Sequence, residues 1–496
     1  MVWEKNGTPD TLTGTADEIT ISDLTSQKSN AFLCHALPSG NIAVKMRFDG
    51  DTSGSVYADR RSVNGATDVT NSPNVSGWID VDHNLANNTD DKFLVGYYAD
   101  VPGQEKLAMI WNCDRHDAGA GTAPERVEGI GKYVPSPNAD ITETTIFNSA
   151  TGDYGTDSNL SVLSDVVEAP AAVGGWVELG RTTLSSTSDT ITVSGLSDKR
   201  YYMILSNPLG SGGGGVIRMG NGTIDTGTNY TFRREFNGGT DVTATTQTGI
   251  YSPTDGVPQF QVGYIANLSA NEKLYQGEFT QRNTAGAANV PQRAQVAGKW
   301  VNTSNPLDNI GLFTTGNYLT DSELVVLGWD PTDTHTNNFW EELASVEITS
   351  ASDTIDSGTI TAKKYLRIQY YIDRSTTDQP FMTFNSDSAS NYSERISLNG
   401  AADSTQVSQA NFEIGNAAVA NFPQFGNMFI INNSANEKLV IQRTVGQQGA
   451  AASIAPRRVE MVSKWTNTAA QITNITLGAS AGNYNAPSFL KVWGSN

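Results

Sequence analysis

Cysteine and histidine are nearly missing from this sequence. Two cysteines and four histidines among 496 residues leave little material for a disulfide framework or a metal site. No Cys-x-x-Cys or His-x-x-x-His pair occurs, and nothing matches a phosphate-binding loop or a Gly-x-Ser-x-Gly elbow. Cys34 and Cys113 both fall in the first third of the chain. A bridge between them is open to the sequence, but reduced thiols are the default for a protein made in a cytoplasm. Charge is scarce as well: 17% of residues, against roughly 25% in an average soluble domain. What charge there is leans one way, to a net −20, which repels phosphate backbones and argues against a nucleic-acid partner. No apolar run approaches the length of about eighteen residues that membrane insertion requires. The start, "MVWEKNGTPD", has neither a basic region nor an apolar core, so no secretory signal is expected. Apolar residues at helical spacing are missing too, which leaves a strand-built fold.

What is present is repetition. "GQEKL", "ANEKL" and "ANEKL" place Lys106, Lys273 and Lys438 about 165 residues apart. From each lysine the chain runs without a gap to Pro124, Pro291 and Pro456, then to Arg126, Arg293 and Arg458, then to Lys132, Lys299 and Lys464. An aromatic residue follows: Tyr133, Trp300 or Trp465. Each copy also carries Tyr-x-x-Arg followed by Asn-Gly, as Tyr57/Arg60/Gly65, Tyr230/Arg233/Gly238 and Tyr392/Arg395/Gly400. A period this long is the size of a domain. Three tandem domains are expected at 1–170, 174–330 and 338–496, joined by "VVEAPAAVGG" and "DPTDTHTNN". In "RVEMVSKW", Val459, Met461 and Trp465 alternate with Arg458, Glu460 and Lys464; in "RAQVAGKW", Ala294, Val296 and Trp300 repeat the pattern. Alternation with period two predicts half-buried antiparallel strands, apolar side inward and polar side outward. With Gly-rich turns at short intervals, the class is all-β, each domain an antiparallel, jelly-roll-like sandwich.

Candidate chemistry is thin. "DRHD" at Asp114–Asp117 is the densest polar cluster, but the other copies lack it, which favours a surface loop. "DGDTSGS" (Asp49–Ser55) and "NSDSASN" (Asn385–Asn391) space oxygen ligands as a hard cation would want, without the bidentate acid that completes such a loop. Asx-rich turns are the simpler reading. "GGGG" at 212–215 lacks the Lys-Ser/Thr of a phosphate cradle and reads as a tight loop. Glu105, Glu272 and Glu437 recur in every copy, which suits a structural salt bridge or turn better than an active site. "AGAGTAP", "AGAANVP" and "GAAASIAP" read as ordered hairpin loops of small residues that pack against a neighbouring domain or subunit, with the repeated Lys and Arg as a polar frame.

The run "NEKL", then "AGAxxxPxRxExVxKW", "NTxxQITNI" and "GxYxxxSxLxVLG" resembles the tandem β-domains of virion structural proteins in marine tailed bacteriophages, among them fibre and tail components. It stands at Asn436–Leu439, Gly449–Trp465, Asn467–Ile475 and Gly482–Gly494, and again from Asn271, Gln292, Trp300 and Gly316; the first copy departs most. The resemblance implies a non-enzymatic structural appendage, fibre or capsid-decoration protein, made in the host cytoplasm and residing in the virion. It carries over no catalytic residue and no cofactor. Other virion proteins are the expected partners, a homo-oligomer, here a trimer, is the expected assembly, and the divergent first domain is the expected attachment point, with the second and third projecting outward. The alternative is a carbohydrate-binding adhesin contacting a host surface glycan, with Trp111, Tyr201, Tyr202, Tyr370 and Tyr371 as its candidate platform.

Overall fold

A computed structural model describes residues 2–74, 77–82, 89–135, 137, 139–166, 174–210, 212–253, 256–377, 379–415, 422–449 and 451–496. His83 and most of "VVEAPAAVGG" lie outside the described residues. Among those described there are 38 strands and no helix, paired antiparallel throughout. Among the described residues no helix is long and apolar enough to cross a membrane.

The second copy shows the plan. Its large sheet orders Val177–Thr183, Glu323–Trp329, Tyr201–Asn207, Gln259–Ala266, Lys273–Gln281, Gln292–Trp300, Tyr230–Phe236 and Val242–Gln247 side by side. A small sheet built on Ser188–Ser194, Asn309–Tyr318 and Gly215–Asn221 faces it. The first and third copies repeat both sheets, and their large sheets join through the single pair Val2↔Glu341. The chain is therefore three tandem antiparallel sandwiches. Each has its own core between its two sheets: Ile146 and Val162 in the first, Ile204 and Trp300 in the second, Ile368 and Trp465 in the third.

A fourth core changes the picture. Val95 and Met109 of the first copy, Met203 and Val262 of the second, and Phe429 and Ile441 of the third belong to one cluster. These residues sit on the faces of the large sheets turned away from the sandwich cores, so the three large sheets back onto one another. The central strands are consequently buried on both faces. Lys438–Gly446 has no exposed position, and in Arg457–Trp465 only the first residue is even partly exposed. The expectation of a solvated polar face fails here: Arg458, Glu460 and Lys464 are as buried as Trp465. The three copies stand side by side around a common axis.

Candidate functional site: the pseudo-threefold axis

The repeated residues explain how the copies close into a ring. The main-chain N–H of Gly119, in the first copy's small-residue loop, donates to Glu272 of the second at 2.5 Å. Gly286 donates likewise to Glu437 of the third at 2.6 Å, and Ala451 to Glu105 of the first at 2.9 Å. Each of those glutamates pairs within its own copy with the lysine of the next strand, Lys299, Lys464 and Lys132, at 3.2, 3.4 and 3.5 Å. The same lysines donate to carbonyls of the incoming loop: Lys132 to Gly449, Lys299 to Arg115 and Lys464 to Thr284. Small side chains are needed there because the loop backbone itself is what the neighbour grips.

The arginines complete the circuit. Arg126 donates to Gln295 and Asp241 of the second copy, both at 2.7 Å. Arg293 donates to Glu460 at 3.0 Å and Asp403 at 2.9 Å in the third, and Arg458 to Glu128 at 2.8 Å and Asp68 at 2.6 Å in the first. In the reverse direction Arg233, Arg395 and Arg60 donate to the carbonyls of Pro124, Pro291 and Pro456. First meets second, second meets third, and third meets first, so the pseudo-threefold closure lies within one chain.

The Asn-Gly turns serve the same contact. Gly65, Gly238 and Gly400 have φ near +70°, and a Cβ on each would stand 2.5–2.6 Å from Oδ1 of Asp241, Asp403 and Asp68 respectively. Both the backbone twist and the close approach exclude a side chain. Lys106, Lys273 and Lys438 fold back on their own copies, donating to the carbonyls of Val101, Leu268 and Asn467. Burial pushes the amines of Lys273 and Lys438 down to about 8.

On the axis itself the copies differ. One strand position carries Trp111, Glu278 and Arg443. The Arg443 guanidinium lies 4.3 Å from the Trp111 ring centroid and pairs with Glu278. Two residues beyond each seam arginine stand Glu128, Gln295 and Glu460. Burial pushes Glu128 up to about 7, with Glu460 adding repulsion. Burial opposes ionisation of Glu460 as well, but Arg458, Arg443 and Arg293 together hold it well below the usual carboxylate range. A cavity of about 30 Å³ lies beside Trp111, Tyr97 and Tyr264, enough to admit water.

The other candidates resolve into structure. Asp49 accepts main-chain N–H groups from Thr142 and Glu143, and Asp387 accepts the Trp465 indole N–H at 2.7 Å. Among the described residues no group of three His, Cys, Asp or Glu side chains is placed to hold a metal. In "DRHD", Arg115 pairs with Asp90 and Asp114 with Lys92, while the Arg115 and Asp117 carbonyls receive Lys299, so the segment is part of a seam rather than a plain surface loop. Cys34 and Cys113 are free thiols in different cores, both pushed up to about 12 by burial. Tyr201, Tyr202, Tyr370 and Tyr371 are fully buried and Trp111 is covered by Arg443, so the platform expected for glycan stacking is interior packing. The sequence drew attention to the seam lysines and arginines without showing which copy each would meet, and it passed over Asp68, Asp241 and Asp403 because single acids in turns are common.

No family model and no curated protein matches the chain. Among solved structures it is similar to the LG1-3 region of the laminin alpha2 chain, at 8% identity, covering 97% of this chain and 99% of that one with a TM-score of 0.15. It is also similar to domains LG4-5 of the mouse laminin alpha1 chain, at 7% identity, covering 66% and 93% with a TM-score of 0.16. Superposition that poor carries no argument beyond the strands already described, and the fold rests on the sheets themselves.

Proposed function

We propose that this chain is a non-enzymatic structural component of a phage virion, a decoration or appendage unit in which one polypeptide does the work of a trimer. The observation that supports the reading is the closed circuit of seam contacts. The titratable groups gathered at the axis are spent on holding three sandwiches together. Its partners would be other virion proteins. With the pseudo-threefold arrangement inside one chain, a threefold position on a particle would accept one copy in place of three. All three copies would then share the attachment face, in place of the first alone. The test is cryo-electron microscopy of purified particles with mass spectrometric identification of their proteins. The expected result is one chain per threefold or pseudo-threefold position, in a ring of three sandwiches. Absence of the chain from purified virions would overturn the reading.

A further inference from the structure

Three seams close the ring, and the polypeptide itself spans only two. Residues 167–176 lead from the first copy to the second, and 330–340 from the second to the third. The seam between third and first has no peptide connection. The two spanned seams share a contact that the third lacks. The Tyr201 hydroxyl donates to Asn159 at 2.7 Å and the Tyr365 hydroxyl to Glu323 at 2.8 Å, whereas the strand register puts Ser29 at the matching place in the first copy.

The unspanned seam is built differently. Lys491, on strand Tyr484–Ser495, sets its Nζ against Oδ2 of Asp165, on strand Asn159–Val166. Asp165 is fully buried and Lys491 is 6% exposed. Oδ1 of Asp165 has no hydrogen bond among the described residues. The surroundings are aromatic. Trp3 lies opposite Asp165 and meets Trp493 edge-on at 5.3 Å, while the Lys491 nitrogen stands 5.4 Å from the Phe489 ring centroid. Glu342, paired with Trp493 on the adjoining strand, acts electrostatically on both Asp165 and Lys491. Burial holds both carboxyls above their ordinary range, in Asp165 against the opposing pull of Lys491 and Arg367. The fold does not demand a lysine here: the matching residues are Ser161 and Val325 in the other copies.

We propose that Lys491 and Asp165 join in an intramolecular amide bond that closes the ring covalently, with Glu342 relaying the proton. In a dry site an ammonium–carboxylate pair is costly to keep, and proton transfer to neutral amine and neutral acid is cheaper than in water. The Nζ lone pair then attacks Cγ of Asp165, forming the C–N bond. Glu342 takes the proton released by nitrogen and delivers it to the departing hydroxyl, which leaves as water. The ammonium and carboxylate become an amide plus one water, with no oxidant, reductant or cofactor. Fixed geometry supplies the effective concentration that free lysine and aspartate lack. Lys92 with Asp114 presents the same groups, but it would tie two strands that already form one hairpin. The Lys491–Asp165 pair links the two copies that no peptide segment joins directly.

Intact mass spectrometry of the full-length protein, followed by proteolysis and peptide sequencing, tests this. The expected result is a mass lower by one water and a branched peptide linking Lys491 to Asp165. Lys491→Arg keeps the charge and should restore the full mass while the protein remains folded, with a lower unfolding temperature. Glu342→Gln should slow the bond at least tenfold. A full sequence mass, a missing water traced to another pair, or recovery of the Lys491 and Asp165 segments as linear peptides would each overturn the proposal. A Glu342→Gln protein cross-linked at the normal rate would remove Glu342 from it.

Discussion

Seam and axis follow opposite rules, although the same three copies build both. Along the seams each copy repeats its neighbours: Arg126, Arg293 and Arg458 all reach an Asp of the next copy, and Lys132, Lys299 and Lys464 all grip the loop of the preceding one. At the axis the copies diverge, to Trp111, Glu278 and Arg443, and to Glu128, Gln295 and Glu460. The reason is geometric. An off-axis residue meets a different residue of its neighbour, so one complementary pair can be used three times. An on-axis residue meets its own counterparts, and three identical buried charges would repel in a low dielectric. A single chain can vary those positions, whereas a true homotrimer cannot.

The sharpest way to break this comparison is to remove a copy. Deleting residues 338–496 would expose the central core of the other two, and the expected product is aggregated or unfolded by size-exclusion chromatography and circular dichroism. A monodisperse, folded product would show that the copies do not depend on one another. Next in size is Arg443→Glu, which places four carboxylates, with Glu128, Glu278 and Glu460, around the axis. Breaking a buried pair in this way costs about 3–5 kcal/mol, read as a shift in the urea midpoint. Exchanging the pair, as Glu278→Arg with Arg443→Glu, should recover little, because residue 443 also faces Glu128 and Glu460. Full recovery would mean that the axis has no fixed order.

Trp465→Ala tests a sandwich core against the axis and should cost about 3–5 kcal/mol in denaturant melts. Trp300→Ala should match it, since the two residues hold equivalent places. A pH series isolates the axial acids. Glu128 has its carboxyl raised in the folded state, so its contribution to stability is complete below the ordinary value near 4.5 and is lost as pH rises to about 7. The loss is on the order of 3 kcal/mol. Glu128→Gln, which copies what Gln295 already does in the second copy, should flatten the fall in unfolding free energy between pH 5 and pH 7. An unchanged slope would assign it to other groups. The smallest effect belongs to Asp387→Ala, which removes the acceptor of the Trp465 indole N–H and should cost about 1 kcal/mol.

Much of this was legible in the sequence, and the boundary of legibility has a physical cause. Alternation in "RVEMVSKW" located a strand and its inward face, because Val459, Met461 and Trp465 obey the two-residue pleat wherever the strand sits. The same alternation misassigned the other face. Arg458, Glu460 and Lys464 look like solvent-facing residues to any local reading, and only the neighbouring copies convert them into buried pairs. The adhesin aromatics failed for a related reason: a tyrosine run such as Tyr370–Tyr371 has the same letters in a core as on a binding face.

The chain's letters alone determined three copies, an all-β class, and which lysines and arginines recur, since repetition and pleat period are properties of the chain. Tertiary structure decided that the copies close into a ring, that Arg126 belongs to Asp241 and Arg458 to Asp68, and that Lys491 faces Asp165 across more than three hundred residues. Those pairings depend on which sheet face turns toward the axis, and a sequence carries no local signal for a surface that exists only once three domains have met.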